Sequence, residues 1–323
     1  MSPNLRGVFY SLMSFGIFAT HDVAVKTLGG HYSPVQIIFF SVLLGFPLVT
    51  LLLITDRSDG NLRPKHPWWS TLRTLCAVVT GLSAFYAFSA LPLAQTYAIL
   101  FAAPLLITLL AIPILGERVG LRRGAAVLVG MIGVLIVLRP SVQPLELGHL
   151  AALASAVFWA LSSVIARKIG SDERPAVLIL YPMLANFVVL GIALPFVYKP
   201  MPIEDMGLIA VIASFGFVAT LFIIAAYRNA EAVIVASMQY SQMLWAIFYG
   251  FLFFSEWPDN FTLVGAGVIM ASGVYIVMRE ASAKTSDLQP VLASRARPDT
   301  GTMVKSSLFG LIKPSQKNFP NPE

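Results

Sequence analysis

Gly133-Val134-Leu135-Ile136-Val137-Leu138-Arg139 returns, with five identities, as Gly273-Val274-Tyr275-Ile276-Val277-Met278-Arg279, 140 residues further on. The spacing is not confined to this heptapeptide. At an offset of 141, Gly7 aligns with Gly148, Ser14 with Ser155, Ala19 with Ala160, Lys26 with Arg167 and Pro34 with Pro175; at 139, Glu117 falls on Glu256. Shared apolar composition does not pair charges and a proline at one period. The chain therefore reads as two copies of one unit, 1–140 and 141–280, followed by a tail, 281–323.

Each copy holds five apolar runs, at 7–27, 34–54, 70–90, 93–115 and 122–138, then 148–167, 177–198, 205–226, 232–254 and 259–278. About 20 residues rising 1.5 Å each cross a hydrocarbon core. Lipid offers the backbone no hydrogen-bond partner, so runs this continuous are expected as helices and not as barrel strands. Composition agrees, with 57% of residues apolar and 12% charged, against roughly 25% charged in soluble domains. The expectation is an all-α integral membrane protein with ten transmembrane helices in the lipid bilayer. Five is odd, so the second copy enters the membrane from the opposite side. The repeats are then inverted about a pseudo-two-fold axis in the membrane plane, an arrangement suited to alternating access around a site near the midplane.

Lysines and arginines flanking spans collect on the cytoplasmic side. With both termini inside, 19 of the 22 basic residues fall there, all but Lys26, Arg139 and Lys199. The net charge of +6 is thus an orientation signal and not a nucleic-acid patch. The single cysteine, Cys76, excludes an intramolecular disulfide and argues against a thiolate metal site. The first apolar run opens after Arg6 without a small-residue cleavage site, and is read as a retained helix. Beyond Met278 the chain turns polar, and the tail is expected to be disordered and cytoplasmic.

The five-plus-five layout carries a resemblance, together with Leu115-Gly116-Glu117-Arg118 and its echo Ser255-Glu256-Trp257, and the glycine-punctuated fifth and tenth helices. Over residues 5 to 280 the chain resembles the drug/metabolite transporter superfamily, in particular its EamA-type members. The resemblance implies ten helices around a central cavity, gradient-driven transport of a small molecule, an inner-membrane location and no nucleotide-binding domain. His21-Asp22-Val23-Ala24-Val25-Lys26-Thr27-Leu28-Gly29 further resembles the first helix of members that take up S-adenosylmethionine or riboflavin, with amino acids as another candidate class. One departure counts against an anion-binding role in helix 2. Such members often place an arginine after a Phe-Phe pair, and here Phe39-Phe40 is followed by Ser41.

Charged residues within spans cost several kcal/mol and are functional candidates by default. Asp22 and Lys26 lie four apart on one helical face, where they can form an ion pair at the outer mouth or a gate. His21 can join a relay with a proton as the coupling ion. Glu117 and Glu256, repeat mates at helix ends, suit loop anchors, a hinge or a gate. The ninth helix carries Gln239, Tyr240, Ser241, Gln242, Trp245 and Tyr249, too polar for a lipid face, and Gln239, Gln242, Trp245 and Tyr249 share one side. With Tyr97, Phe101 and Thr108 of the fourth helix, and with the repeat mates Phe18 and Trp159, they are expected to line an aromatic cavity with few charges or to bond between helices. Gly124, Gly130, Gly133, Gly265, Gly267 and Gly273 suit close packing within a subunit or between the copies of a homodimer.

Rival classes find little support. No His-Glu-x-x-His, metal-spaced cluster, nucleophile with an adjacent base or Walker loop is present, so neither an enzyme, a cofactor nor ATP-driven transport is expected. A channel or uncoupled facilitator would share the repeats, but the charge rings and filter loops of ion selectivity are missing.

Overall fold

The computed structural model describes residues 3–54, 63–117, 119–139, 145–170, 172–173, 175–230 and 232–282. Arg118 and most of the tail, from 283 onward, lie outside the described residues. The described chain is helical in ten passes. Helices 1 to 3 are Pro3–Gly29, Pro34–Ile54 and Pro67–Ala90; helix 4 comprises Leu93–Leu100 and Ala103–Leu115; helix 5 is Leu121–Leu138. Helices 6 to 8 are Leu147–Ile169, Pro175–Ala193 and Ile203–Asn229; helix 9 comprises Ala232–Met238, a 3-10 turn Gln239–Ser241 and Gln242–Phe254; helix 10 is Asn260–Ser282. Eight of these are long and apolar enough to cross a membrane unaided, and helix 2 adds the shorter apolar stretch Pro34–Thr50. Helix 9, taken across its break, completes the ten. Helix 3 begins three residues before the expected position, because Pro67 suits the first turn of a helix.

The face bearing the start of helix 1 is called the near face, and the opposite one the far face. Helix pairing obeys the two-fold operation that exchanges helix 1 with 6, 2 with 7, 3 with 8, 4 with 9 and 5 with 10. The most extensive seams are helix 1 on helix 8, helix 3 on helix 6 and helix 5 on helix 10. The first two are images of each other, and the third maps onto itself, as do helix 2 on helix 7 and helix 4 on helix 9. A pair of repeats with odd helix number can do this only when antiparallel.

The symmetry extends to single bonds. Ser14 Oγ donates to the carbonyl of Ala219 at 2.7 Å, and its mate Ser155 donates to the carbonyl of Thr80 at 3.3 Å. A methyl on Gly7 would come within 2.2 Å of Ala230 Cβ, and one on its mate Gly148 within 2.8 Å of Leu91 Cγ. Both seams therefore close on glycine, where backbones approach without a side chain between them. On the far face Tyr32 donates to Asp205 at 2.6 Å; on the near face the His66 backbone donates to Glu173 at 2.6 Å. These too are repeat equivalents.

Helices 4 and 9 are both interrupted, at Phe101–Ala102 and at Gln239–Ser241. In helix 4 the cause is Pro104, which lacks an N–H and crowds the carbonyl four residues back. The interruptions are repeat mates, and the rings of Phe101 and Tyr240 meet there, centroids 5.1 Å apart and planes at 72°. This edge-to-face contact sits where the two broken helices cross.

Candidate functional site

Each broken helix ends in the same way. Gly116 and Ser255, repeat mates, are both left-handed, with φ of 72° and 53°. The following glutamate turns back, so that Glu117 N–H reaches the carbonyl of Ala111 and Glu256 N–H that of Gly250. Both carboxylates are thereby aimed into the bundle.

On the far face Glu256 Oε1 lies 2.9 Å from Lys26 Nζ, and its Oε2 accepts from the Leu93 N–H at 3.1 Å. Lys26 also donates to the Leu91 carbonyl at 2.5 Å. The pair thus ties helix 1 to helix 9 and to the turn between helices 3 and 4. On the near face the mates of these residues, Arg167 and Glu117, form an ion pair between helices 6 and 4. Arg123 stands 3.9 Å from the same carboxylate and donates to Thr108, while Lys168 reaches the Ile114 carbonyl at 3.0 Å. Among the described residues Lys26 pairs with Glu256 and not with the expected Asp22. Lys26 finds a carboxylate across the repeat boundary, and Asp22 has better partners of its own.

Asp22 is fully buried. Its Oδ2 accepts from the Tyr97 hydroxyl, and its Oδ1 lies 2.8 Å from His21 Nδ1. Gln242 donates to the Tyr97 oxygen at 3.4 Å, so helices 1, 4 and 9 meet through these four side chains. Phe88 and Phe101 pack on the Tyr97 ring, and Phe85 meets the imidazole edge-on at 6.0 Å.

A cleft lies beside His21 among helices 1, 2, 3, 7 and 8, bounded by Ser41, Phe85, Met183, Phe217 and, toward the near face, Val49. His21 is 18 residues from the start of helix 1, or about 27 Å, whereas Val49 is only five residues, about 8 Å, from the near end of helix 2. The cleft therefore runs from a deep end at His21 toward the near face. Its volume of about 50 Å³ admits roughly four waters and not a metabolite. Above its deep end, on the far face, helix 1 is closed on helix 3, with Gly29 pressed on Ser89. The mate Gly170 has only its own helix, at Ala166, within 4 Å among the described residues.

The other expected cavity residues do not border this cleft. Phe18 is buried in the helix 1–helix 8 seam against Ala219 and Ile223, because an inward face and a seam face of helix 1 look alike in sequence. Trp245 packs where Gly16 leaves room, 3.2 Å from its would-be Cβ, and stacks on Tyr249, which bonds Thr20. The face shared by Gln239, Gln242, Trp245 and Tyr249 is not one helical stripe, since the 3-10 turn re-aims Gln239 relative to the rest. Gln239 and Trp159 are partly buried. Tyr240, with its hydroxyl unpartnered among the described residues, borders a second cavity of about 550 Å³ between helices 1, 9 and 10. The exposed Leu12, Leu244 and Leu263 on its rim make that one lateral. Sequence reasoning passed over Arg167 and Arg123, although the register that pairs Lys26 with Arg167 and Glu117 with Glu256 held the signal.

A multi-pass bundle of inverted repeats with broken helices meeting at its centre is an architecture that membrane transporters use. The profile of the EamA-like transporter family matches residues 5–139 and 146–279, and the chain belongs to that family. It is 24% identical to the S-adenosylmethionine uptake transporter of Rickettsia prowazekii (strain Madrid E), covering 87% of this chain and 96% of that one. It is 28% identical to the riboflavin transporter of Rhizobium johnstonii, over 68% of this chain and 73% of that protein. To the pseudopaline exporter CntI of Pseudomonas aeruginosa it is 26% identical, over 82% and 94%. A solved crystal structure covering 87% of this chain and 98% of its own superposes with a TM-score of 0.59 at 19% identity, which shows a shared fold.

Proposed function

We propose that this chain is a gradient-driven secondary transporter of a small organic metabolite, working by alternating access in the cell's inner membrane with its near face and both termini in the cytoplasm. The observation that carries the proposal is the pair of repeat-related breaks in helices 4 and 9, which touch through Phe101 and Tyr240. Broken helices at the repeat interface mark substrate sites in inverted-repeat transporters. The closed far face and the cleft toward the near face support an inward-facing, nearly occluded state. The distribution of basic residues supports the orientation.

Lys26–Glu256 and Arg167–Glu117 act in this reading as struts. Both are formed at once, so they are not alternative closures. They anchor the ends of helices 9 and 4 to helices 1 and 6 and concentrate motion at the breaks. The two halves, 1–140 and 141–280, exchange conformations about the central crossing. The names of the relatives support solutes the size of S-adenosylmethionine, riboflavin or an amino acid. Asp22, Tyr97 and Gln242, at the deep end, are the polar groups that would meet such a solute once the cleft widens. A proton is the coupling ion. Counterflow in proteoliposomes with a labelled panel of these solutes, with and without a pH gradient, tests the proposal. Exchange of at least one is expected, and a panel that stays put under every gradient overturns it.

A further inference from the structure

One unbroken line of polar side chains joins the cleft to the break in helix 9. Gln242 donates to Tyr97, Tyr97 donates to Asp22, and Asp22 faces His21 Nδ1 at 2.8 Å. His21 is 1% exposed and Asp22 0%. Read as a carboxylate, Asp22 accepts from both neighbours, and these two bonds offset its desolvation. The Nδ1 then carries the hydrogen, and Nε2 is left as a lone pair.

That Nε2 is buried and has no hydrogen-bond partner among the described residues. His21 lines the cleft, whose other polar lining side chain, Ser41, has already donated its hydroxyl to the Ile37 carbonyl. Helix 3 offers only the Phe85 ring here, and helices 7 and 8 offer Met183, Ile212, Ala213 and Phe217. Lys26, one turn beyond Asp22, is held by Glu256 and Leu91. Tyr97 is the titratable group that helix 4 presents, and helix 9 presents the uncharged Gln242. A lone pair so placed, on a residue that borders the cleft, is an acceptor that water reaches once the cleft widens.

We propose that His21 is the proton-binding residue of the transport cycle, with Asp22 as the positioning residue that fixes its tautomer and Tyr97–Gln242 as the link to the break in helix 9. This deepens the transporter reading and rests on it. A proton from the near-face solution, relayed through water that enters as the cleft widens, adds to Nε2; the imidazole becomes imidazolium and Asp22 stays a carboxylate, so the charge of the dyad goes from −1 to zero. The imidazolium draws the carboxylate toward itself. Tyr97 loses hold of its acceptor, and Gln242, at the start of the second half of helix 9, is released with it.

The test combines spectroscopy with transport. The chain has four histidines, and in ¹⁵N-histidine-labelled protein in nanodiscs His21→Gln identifies the signal of interest. Wild type should show an Nδ1–H tautomer whose Nε2 gains a proton on acidification, and Asp22→Asn should abolish that tautomer preference. In proteoliposomes with the S-adenosylmethionine, riboflavin and amino-acid panel, a gradient of one pH unit should support up to about tenfold accumulation by wild type. In His21→Gln the ratio of gradient-driven accumulation to counterflow should collapse; Tyr97→Phe should keep the His21 signal and lose accumulation. An Nε2–H tautomer in wild type, or full gradient-driven accumulation by His21→Gln, overturns the proposal. Wild-type counterflow that ignores every pH gradient defeats this inference alone, whereas absence of wild-type counterflow defeats the transporter reading.

Discussion

Glu256→Gln is the perturbation that separates a strut from a gate. The substitution keeps the shape and the Leu93 hydrogen bond but leaves Lys26, whose side chain is 10% exposed, facing a neutral amide; Glu256 itself is 23% exposed. An exposed ion pair contributes at most about 1 kcal/mol, and breaking a buried one costs about 3–5 kcal/mol. At this intermediate burial the loss should be about 2 kcal/mol, which for a chain of this size lowers the melting temperature by roughly 3 °C. Glu117→Gln should cost about 3 kcal/mol, because it strands Arg167 and removes the charge beside Arg123. The assay is thermal unfolding of the purified protein, paired with labelling of single cysteines placed at either face in a Cys76→Ala background. A strut predicts lower stability in both variants, unchanged labelling at both faces, and recovery of about half the loss in the charge-swapped pair Lys26→Glu with Glu256→Lys. Unchanged melting temperatures, with the far face opening in Glu256→Gln and the near face in Glu117→Gln, would refute the strut and make these pairs gates.

Two further outcomes follow from backbone and charge. Ser255 holds a left-handed conformation that its mate Gly116 adopts without strain, so Ser255→Gly should raise the melting temperature, by about 0.5–1 kcal/mol in stability; no gain would mean the Ser255 side chain contributes an unrecognised bond. Asp259, at the far-face start of helix 10, is pushed upward by partial burial, but its bonds to Thr262 and the charge of Arg139 outweigh this and hold its carboxyl below the usual range. Its folded value is depressed, so its contribution is present above the normal carboxylate range and lost as pH falls through the folded value. The stability difference between wild type and Asp259→Asn should therefore shrink on acidification, and a constant difference would refute the assignment.

The ten passes were legible because apolar runs of spanning length need no partner to be recognised, and the inversion was legible because an odd number of them repeats. The break in helix 4 had Pro104 to announce it, while the one in helix 9 has no proline at Gln239–Ser241 and reads as continuous. The partner of Lys26 was not legible, because spacing along one helix sees only Asp22, whereas the acceptor comes from another repeat. Phe18 and Trp245 show a related limit. In a chain where lipid face, seam and cavity all accept aromatic rings, polarity cannot say which of the three a ring occupies. His21 and Asp22 stood out because buried charge in a membrane is costly enough to be noticed without a structure.

The interleaving of the repeats has a consequence for the chain's own making. Helix 1 rests on helix 8 and helix 3 on helix 6, so the glycine-closed surfaces of either half are covered only by the other. A ribosome that has released the first five helices has produced a half-molecule with Gly7 and its neighbours bare to lipid, unable to finish folding until helix 8 arrives from the opposite side. A five-helix half expressed by itself could bury those surfaces only against a copy inserted upside down. Fusing the two halves into one polypeptide makes that oppositely oriented partner available at a one-to-one ratio every time the gene is read.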